Sequence, residues 1–279
     1  MATGLPHSAH AAAPSRIAAI DWAMLETLMA VGVVPIAATE LIRFRKDAQE
    51  PAIPDNVVDL GLRGSPNLEL LHLLRPDLIL ISPFYTRLQS ALQEIAPVMS
   101  LPFYVKGEAP FDKSLAAVAA MGERLGRQQQ AVTVLAQSNQ DLAEMRIKLA
   151  RFAARPTYVI NIGDARHFRA FGSDSMFGDM LLRLGLPNAW AEGSRYTFAA
   201  PVPLESLAAH PDARIVIVSE IPVEARSGLR NSMIWRSLTP VQAGRVVTID
   251  NINPYGGITA GLRFARLLTE ALTANGDAP

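Results

Sequence analysis

From Arg127 to Ala153 the chain reads RQQQAVTVLAQSNQDLAEMRIKLARFA, a run with no glycine or proline, mixed in Gln, Ala, Leu, Glu and Lys. Such a run predicts one long helix. At 1.5 Å per residue it would extend about 40 Å, more than a β-α unit needs, and suits a strut joining two lobes. Upstream of it short apolar runs alternate with helical periods. Ile17 to Ile20 predicts a strand and Met24 to Val31 a helix, and Gly32-Val33-Val34-Pro35 breaks that helix and enters a second strand reaching Thr39. Val57 to Leu60 predicts a short strand, Pro66 to Leu74 a helix, and Leu78 to Ser82 an apolar strand of the kind buried in a parallel sheet. Leu88 to Ile95 reads as a helix, Val98 to Val105 as a strand, and Ser114 to Leu125 as a helix closed by Gly126.

Downstream the same grammar restarts with echoes of the first half. Leu184-Gly185-Leu186-Pro187 ends a helix as Val31 to Pro35 does. Leu68-Glu69 leads through Pro76-Asp77 into Leu78 to Ser82, and Leu204-Glu205 leads through Pro211-Asp212 into Ile215 to Ser219. Ile95-Ala96-Pro97-Val98 is matched by Leu238-Thr239-Pro240-Val241. The expected fold is therefore α/β, with two Rossmann-like lobes at residues 15–126 and 154–279. One long backbone helix at 127–153 joins them, and the ligand cleft lies between them.

Composition narrows the function. At 279 residues the chain exceeds the size at which one core stops growing, which favours two lobes. With 26 Lys plus Arg against 26 Asp plus Glu there is no global pull toward nucleic acid or an anionic membrane. Hydrophobic residues at 49% allow a sizeable core, and no apolar run is long enough to span a bilayer. The absence of cysteine removes disulfides, thiolate metal sites, cysteine nucleophiles and a lipid-bearing amino-terminal Cys. Ala9-His10-Ala11 and the alanines after it have the small-residue character of a processing site, as if most of a leader were missing upstream.

The phosphate-loop, dinucleotide, nucleophile-elbow and HExxH signatures are all missing. His7, His10, His72, His167 and His210 are scattered, with no pair at metal-binding spacing. Asp164 and His167 could form an acid-base pair but read more simply as a polar loop after a strand. Paired lobes, a stiff linker and no catalytic motif describe a binding protein better than an enzyme.

The resemblance then becomes specific. Val57-Val58-Asp59-Leu60-Gly61-Leu62-Arg63-Gly64-Ser65-Pro66-Asn67-Leu68-Glu69-Leu70-Leu71, Arg75 to Ser82, and Glu94-Ile95-Ala96-Pro97 resemble the helical-backbone class of ABC-importer substrate-binding proteins. So do Asp164 to His167, Phe171 to Phe177 and Gly185 to Trp190. Within that class the chain is most similar, from about Arg16 to Leu272, to the periplasmic ferric-hydroxamate siderophore-binding family of Gram-negative bacteria. The resemblance implies capture of an iron(III) siderophore in the periplasm and delivery to an inner-membrane ABC permease by a monomer. It implies no cofactor, since the siderophore supplies all six oxygen ligands to the iron. It also implies that Arg63 and Tyr85 hydrogen-bond the iron-chelating oxygens, a role that suits a guanidinium fork and a phenol hydroxyl.

The family pocket is lined with Trp, and here the sequence departs: Asp47, Thr197 and Asn253 stand at Trp positions. The aromatic residues left to line it are Trp22, Tyr255, Tyr196 and Phe198, with Arg195 beside them. Loss of Trp together with Arg43, Arg45, Lys46 and Arg195 points to a more polar or anionic chelate than ferrichrome, such as a ferric carboxylate or a mixed citrate-hydroxamate siderophore. Haem and cobalamin are further alternatives. Members of the family dock on the permease through one acidic residue per lobe. Glu205 matches one of these, and Glu94 stands in weakly for the other, whose position holds Ser90. The rival from another class is a two-lobed glycosyltransferase-like enzyme, for which Gly256-Gly257 is the only near miss to a phosphate loop.

Overall fold

The structure, a computed structural model, describes residues 13–190 and 201–274. The amino half runs β1 (Ile17–Ala19), α1 (Trp22–Ala30), β2 (Ala37–Ala38), α2 (Leu41–Asp47), β3 (Val58–Asp59), α3 (Leu68–Leu74) and β4 (Leu78–Ile81). A 3-10 helix over Pro83–Leu88 leads into α4 (Gln89–Gln93), and β5 (Val98–Ser100) and α5 (Pro110–Arg124) follow. The glycine- and proline-free run folds as α6 (Gln128–Leu149) and a 3-10 turn over Ala150–Phe152. The second half runs β6 (Thr157–Ile162), β7 (His167–Ala170), α7 (Met176–Arg183), β8 (Val202–Pro203), a 3-10 helix over Leu204–Ala209 and β9 (Arg214–Val218). Then come α8 (Val223–Asn231), α9 (Met233–Ser237), α10 (Thr239–Gln242), β10 (Val246–Ile249) and α11 (Ile258–Ala274).

The strands form two sheets, ordered β3-β2-β1-β4-β5 and β10-β9-β6-β7-β8. The first is wholly parallel. In the second, β6, β9 and β10 are parallel, but β7 returns from β6 as an antiparallel hairpin and β8 is antiparallel to β7. The internal echo thus maps β1-β4-β5 onto β6-β9-β10, and the two halves differ on the other side of the central strand. Some element bounds differ from those the sequence suggests. The strand expected to Val105 stops at Ser100, and the helix expected from Ser114 starts at Pro110, whose fixed φ suits a first turn. Pro240 and Val241 sit in α10, and β10 begins five residues after Val241, so the Thr239-Pro240-Val241 echo is one of residues and not of structure.

The central strands of each sheet are buried on both faces with the strand period of two. Ile17, Ala19, Leu78 and Leu80 join one core, and Ala18, Ile20, Ile79 and Ile81 another. In the second sheet Val216 and Val218 alternate likewise with Ile215 and Ile217. The inner faces of both sheets meet a single hydrophobic cluster, which runs from Ile17 and Leu80 through the helices between the sheets to Val218 and Ile249. The long helix α6 is not a bare strut: it packs along α5 and α11, and α11 also touches α1 and α7.

Candidate ligand-binding site

The loops after the carboxyl ends of the parallel strands converge on one cleft, where an open α/β sheet places its ligand. After β1, Asp21 caps α1: its Oδ1 accepts from the Met24 amide at 3.0 Å and its Oδ2 accepts from the Ser82 hydroxyl at 2.8 Å. Burial pushes the Asp21 carboxyl above its ordinary range, against the pull of the Met24 amide, Ser82 and Arg63. Next in the chain, Trp22 is 4% exposed and anchored by its indole N–H, which donates to the Thr39 carbonyl at 3.0 Å.

The β3–α3 loop delivers Arg63. Gly61, at φ +77, turns the chain there and offers its carbonyl to the Glu40 amide at 2.8 Å. That bond brings Glu40 under the guanidinium, and Arg63 Nε donates to Glu40 Oε2 at 2.7 Å. The guanidinium carbon lies 3.9 Å from the centre of the Trp22 ring, a cation-π stack. Carboxylate and indole together fix the fork, which also hydrogen-bonds the Tyr85 side chain.

Tyr85 follows β4 within the 3-10 turn, its amide bonded to the Ser82 carbonyl at 2.9 Å. The ring is 6% exposed, and burial pushes the phenol up to about 12, with the hydrogen-bonded Arg63 acting against this. Tyr85 is therefore a neutral O–H donor across physiological pH. Its neighbour Phe84 packs edge-on against it at 5.3 Å and is 84% exposed.

Two cavities open here. One, about 780 Å³, is lined by Asp21, Trp22, Glu40, Arg63, Phe84, Tyr85, Arg87, Phe103, Tyr104 and Tyr255. The other, about 480 Å³, shares Trp22, Arg63 and Tyr255 and reaches the second lobe at Asn161, Arg169 and the β9–α8 and β10–α11 loops. Tyr104 packs edge-on against Tyr255 at 5.7 Å and ties the β10–α11 loop through its hydroxyl, which donates to the Gly256 carbonyl at 2.7 Å.

A family model described as periplasmic binding protein matches residues 17–252. The chain belongs to the periplasmic binding protein family. Among curated relatives of this periplasmic binding protein, the iron(3+)-hydroxamate-binding protein FhuD of Escherichia coli (strain K12) is 32% identical over 268 residues, 95% of this chain and 90% of that one. The Fe(3+) dicitrate-binding periplasmic protein FecB of the same organism is 26% identical over 246 residues, 85% and 77% of the two chains. In fold, the chain is similar to the FhuD of Vibrio cholerae solved with Fe3+-Desferal, with a TM-score of 0.88 and 24% identity, covering 95% and 99% of the two chains.

Of the residues singled out by sequence, this periplasmic binding protein brings Arg63, Tyr85, Trp22 and Tyr255 together on one cavity wall. Tyr196, Phe198 and Arg195 lie outside the described residues, as does Thr197. Of the other positions that hold Trp in the family, Asp47 pairs with Arg43 at 2.9 Å, and Asn253 is buried with its amide on Glu26 at 3.0 Å. Glu94 and Glu205 are both exposed, Glu205 in the first turn of the 3-10 helix over Leu204–Ala209. Trp190 packs on Phe168 at 5.9 Å, away from both cavities. Asp164 bonds the Arg166 and His167 amides, so with His167 it shapes the β6–β7 turn.

The Gly256-Gly257 near miss resolves as an internal anion site. The Gly257 and Ala260 amides at the start of α11 donate to Glu26 Oε2 at 2.7 and 3.2 Å. A side chain at Gly256 would meet Glu26 Oε1 at 2.5 Å, so glycine is needed for this close approach and not for a phosphate. Sequence reasoning missed Glu40, Phe84, Tyr104 and Arg169 at the cleft. An exposed phenylalanine directly after a buried strand was the one signal available for Phe84.

Proposed function

We propose that this protein captures an iron(III) siderophore, most simply of the hydroxamate class, in the cleft and delivers it from the periplasm to an inner-membrane ABC permease. The observation that carries the reading is the donor pair Arg63 and Tyr85, held by Glu40 and Trp22 against a cavity of about 780 Å³. Iron is cargo here, and the hydroxamate oxygens fill its coordination sphere. Those oxygens keep partial negative charge, which a fixed guanidinium and a neutral phenol proton meet as hydrogen-bond donors. Trp22, Phe84 and Tyr255 supply aromatic walls for the hydrocarbon between the chelating groups. No group on the protein must change its bonding, so binding and release are the whole of its chemistry. The similarity to a hydroxamate-binding relative over nearly all of the chain supports the same reading. Glu205 and Glu94, both exposed, are the acidic residues offered to the permease.

The test is a tryptophan-quenching titration with ferrichrome, ferrioxamine B, ferric citrate, aerobactin and enterobactin complexes, Trp22 being the reporter in the cavity. Saturable quenching by the hydroxamates at micromolar concentration or below is the expected result. Quenching by ferric citrate or the catecholate alone would overturn the ligand class.

A further inference from the structure

We infer that the smaller cavity is a separate subsite for a pendant carboxylate on the ferric hydroxamate, held by Arg169 and Lys46. The inference rests on the reading just given, because it concerns what the chelate carries beyond its iron-binding groups. Its basis is a charge balance within one chamber. Arg43, Lys46, Arg63, Arg169 and Arg226 line it, against Asp47 and Glu220. Three of these cations already have partners: Arg43 binds Asp47 at 2.9 Å, Arg226 approaches Glu220 at 3.6 Å, and Arg63 binds Glu40 at 2.7 Å. Among the described residues, Lys46 and Arg169 have no ion-pair partner, and both are exposed. They come from opposite lobes, Lys46 from α2 and Arg169 from β7.

The neighbouring groups add to this. Asn161, on β6 beside Arg169, donates its amide to the Val218 carbonyl at 2.9 Å and so stiffens the chamber floor. Asn251 donates to the Lys46 carbonyl at 3.2 Å, which ties the β10–α11 loop to the end of α2. Burial pushes the Tyr255 phenol up to about 12 and the nearby Arg169 charge acts against this, while both residues line the smaller cavity, whose wall at Tyr255 is shared with the larger one. A chelate seated on Arg63 and Tyr85 therefore has, on its second-lobe side, a chamber in which two positive charges lack a counter-charge among the described residues. An arm ending in carboxylate suits it, a neutral arm is indifferent to it and an ammonium arm is repelled.

Three complexes with one iron centre decide the matter: ferrioxamine B, whose arm ends in ammonium, and its N-acetyl and N-succinyl derivatives. At low ionic strength we expect the N-succinyl complex to bind about 5 to 10-fold more tightly than the N-acetyl one, ferrioxamine B to bind more weakly than both, and the spread to shrink as salt is raised. Arg169→Gln and Lys46→Gln, at exposed positions where melting temperature checks folding, should each compress the succinyl-to-acetyl ratio toward one. Equal affinity for the three complexes, or a ratio unmoved by both variants, would overturn the subsite and leave the ferric-hydroxamate reading standing. Failure of all three complexes to bind would instead overturn that reading.

Discussion

At the scale of the residue, Arg63 is held by a carboxylate and an indole before any ligand arrives. Preorganisation of this kind lowers the ordering cost of a long side chain on binding, and a fork that meets two acceptors gains over a point charge. Arg63→Ala should therefore weaken ferric-hydroxamate binding about 10 to 100-fold, the range for a charge-assisted hydrogen bond lost with its partner left unmet. Arg63→Lys should recover little of it. Tyr85→Phe removes one neutral donor and should cost about 5-fold, with the ring packing kept. Quenching titrations measure all three, and unchanged affinity in both Arg63→Ala and Tyr85→Phe would remove these residues from the site. Arg63, Tyr85, Trp22 and Tyr255 could be found in the sequence because each follows a short strand or matches a family position. Glu40 could not: it lies 23 residues from Arg63, and what joins them is a bond between the Glu40 amide and Gly61 across adjacent strand ends. Arg169 was hidden because β7 turns back antiparallel, which sets an otherwise ordinary strand-surface arginine at the cleft.

At the scale of the element, the amino-terminal end of α11 carries its counter-charge on another helix. Glu26, in the middle of α1 and fully buried, accepts from the Asn253 amide and from the Gly257 and Ala260 backbone. Burial outweighs these bonds and pushes its carboxyl up to about 7, with the Asp21 charge adding to the rise. The unfolded chain gives up this proton near the ordinary glutamate value of 4.5, so between there and about 7 folding takes a proton up. Glu26 thus favours the folded state fully only at acid pH, and that contribution fades as pH rises through about 7, by about 3 kcal/mol over the whole window. Asp21 shifts in the same direction, whereas Asp164, held low by the Arg166 amide, acts only in more acid solution. Melting temperature should accordingly fall from pH 5 to pH 8, and Glu26→Gln should flatten that fall; an equal slope in the variant would exclude Glu26 as its source. Helix and strand periodicity made most elements up to α6 legible, α6 above all, and β9 after it. It did not disclose α2, whose seven residues follow Glu40, an N-cap in a left-handed conformation, and bury only Leu41 and Phe44, nor the paired ends of α1 and α11.

At the scale of the whole molecule, the two sheets share one hydrophobic cluster and are also tied by polar contacts between the halves. The Phe111 amide at the start of α5 donates to Asp179 of α7 at 2.9 Å, and Arg183 bridges Asp179 and Asp112 at 2.9 and 2.8 Å. Arg263 of α11, 6% exposed, reaches Glu50 at 2.5 Å, Gln49 at 2.6 Å and Asp250 at 3.3 Å. Phe264 stacks on Phe177 at 4.7 Å in the middle of the cluster. A hinge would have to open this core or shear these ties, and dense interiors resist continuous deformation. The two-lobe pattern read from sequence rested on the likeness of β4 to β9 and of the turns that end α1 and α7, which the structure extends to β1-β4-β5 and β6-β9-β10. The fusion of the lobes through a common core was not legible, because a run of core residues carries no mark of which sheet it faces. The consequence is mechanical. A chain of this length has a radius of gyration of about 19 Å, and siderophore binding should change it by no more than about 0.3 Å, where a hinged closure would shrink it by about 1 Å or more. Small-angle scattering with and without ferrioxamine B reads this directly, and a marked contraction would mean that the shared core does yield. With no such contraction, recognition by a permease has to rest on the ligand exposed at the cleft mouth rather than on a closed and an open shape.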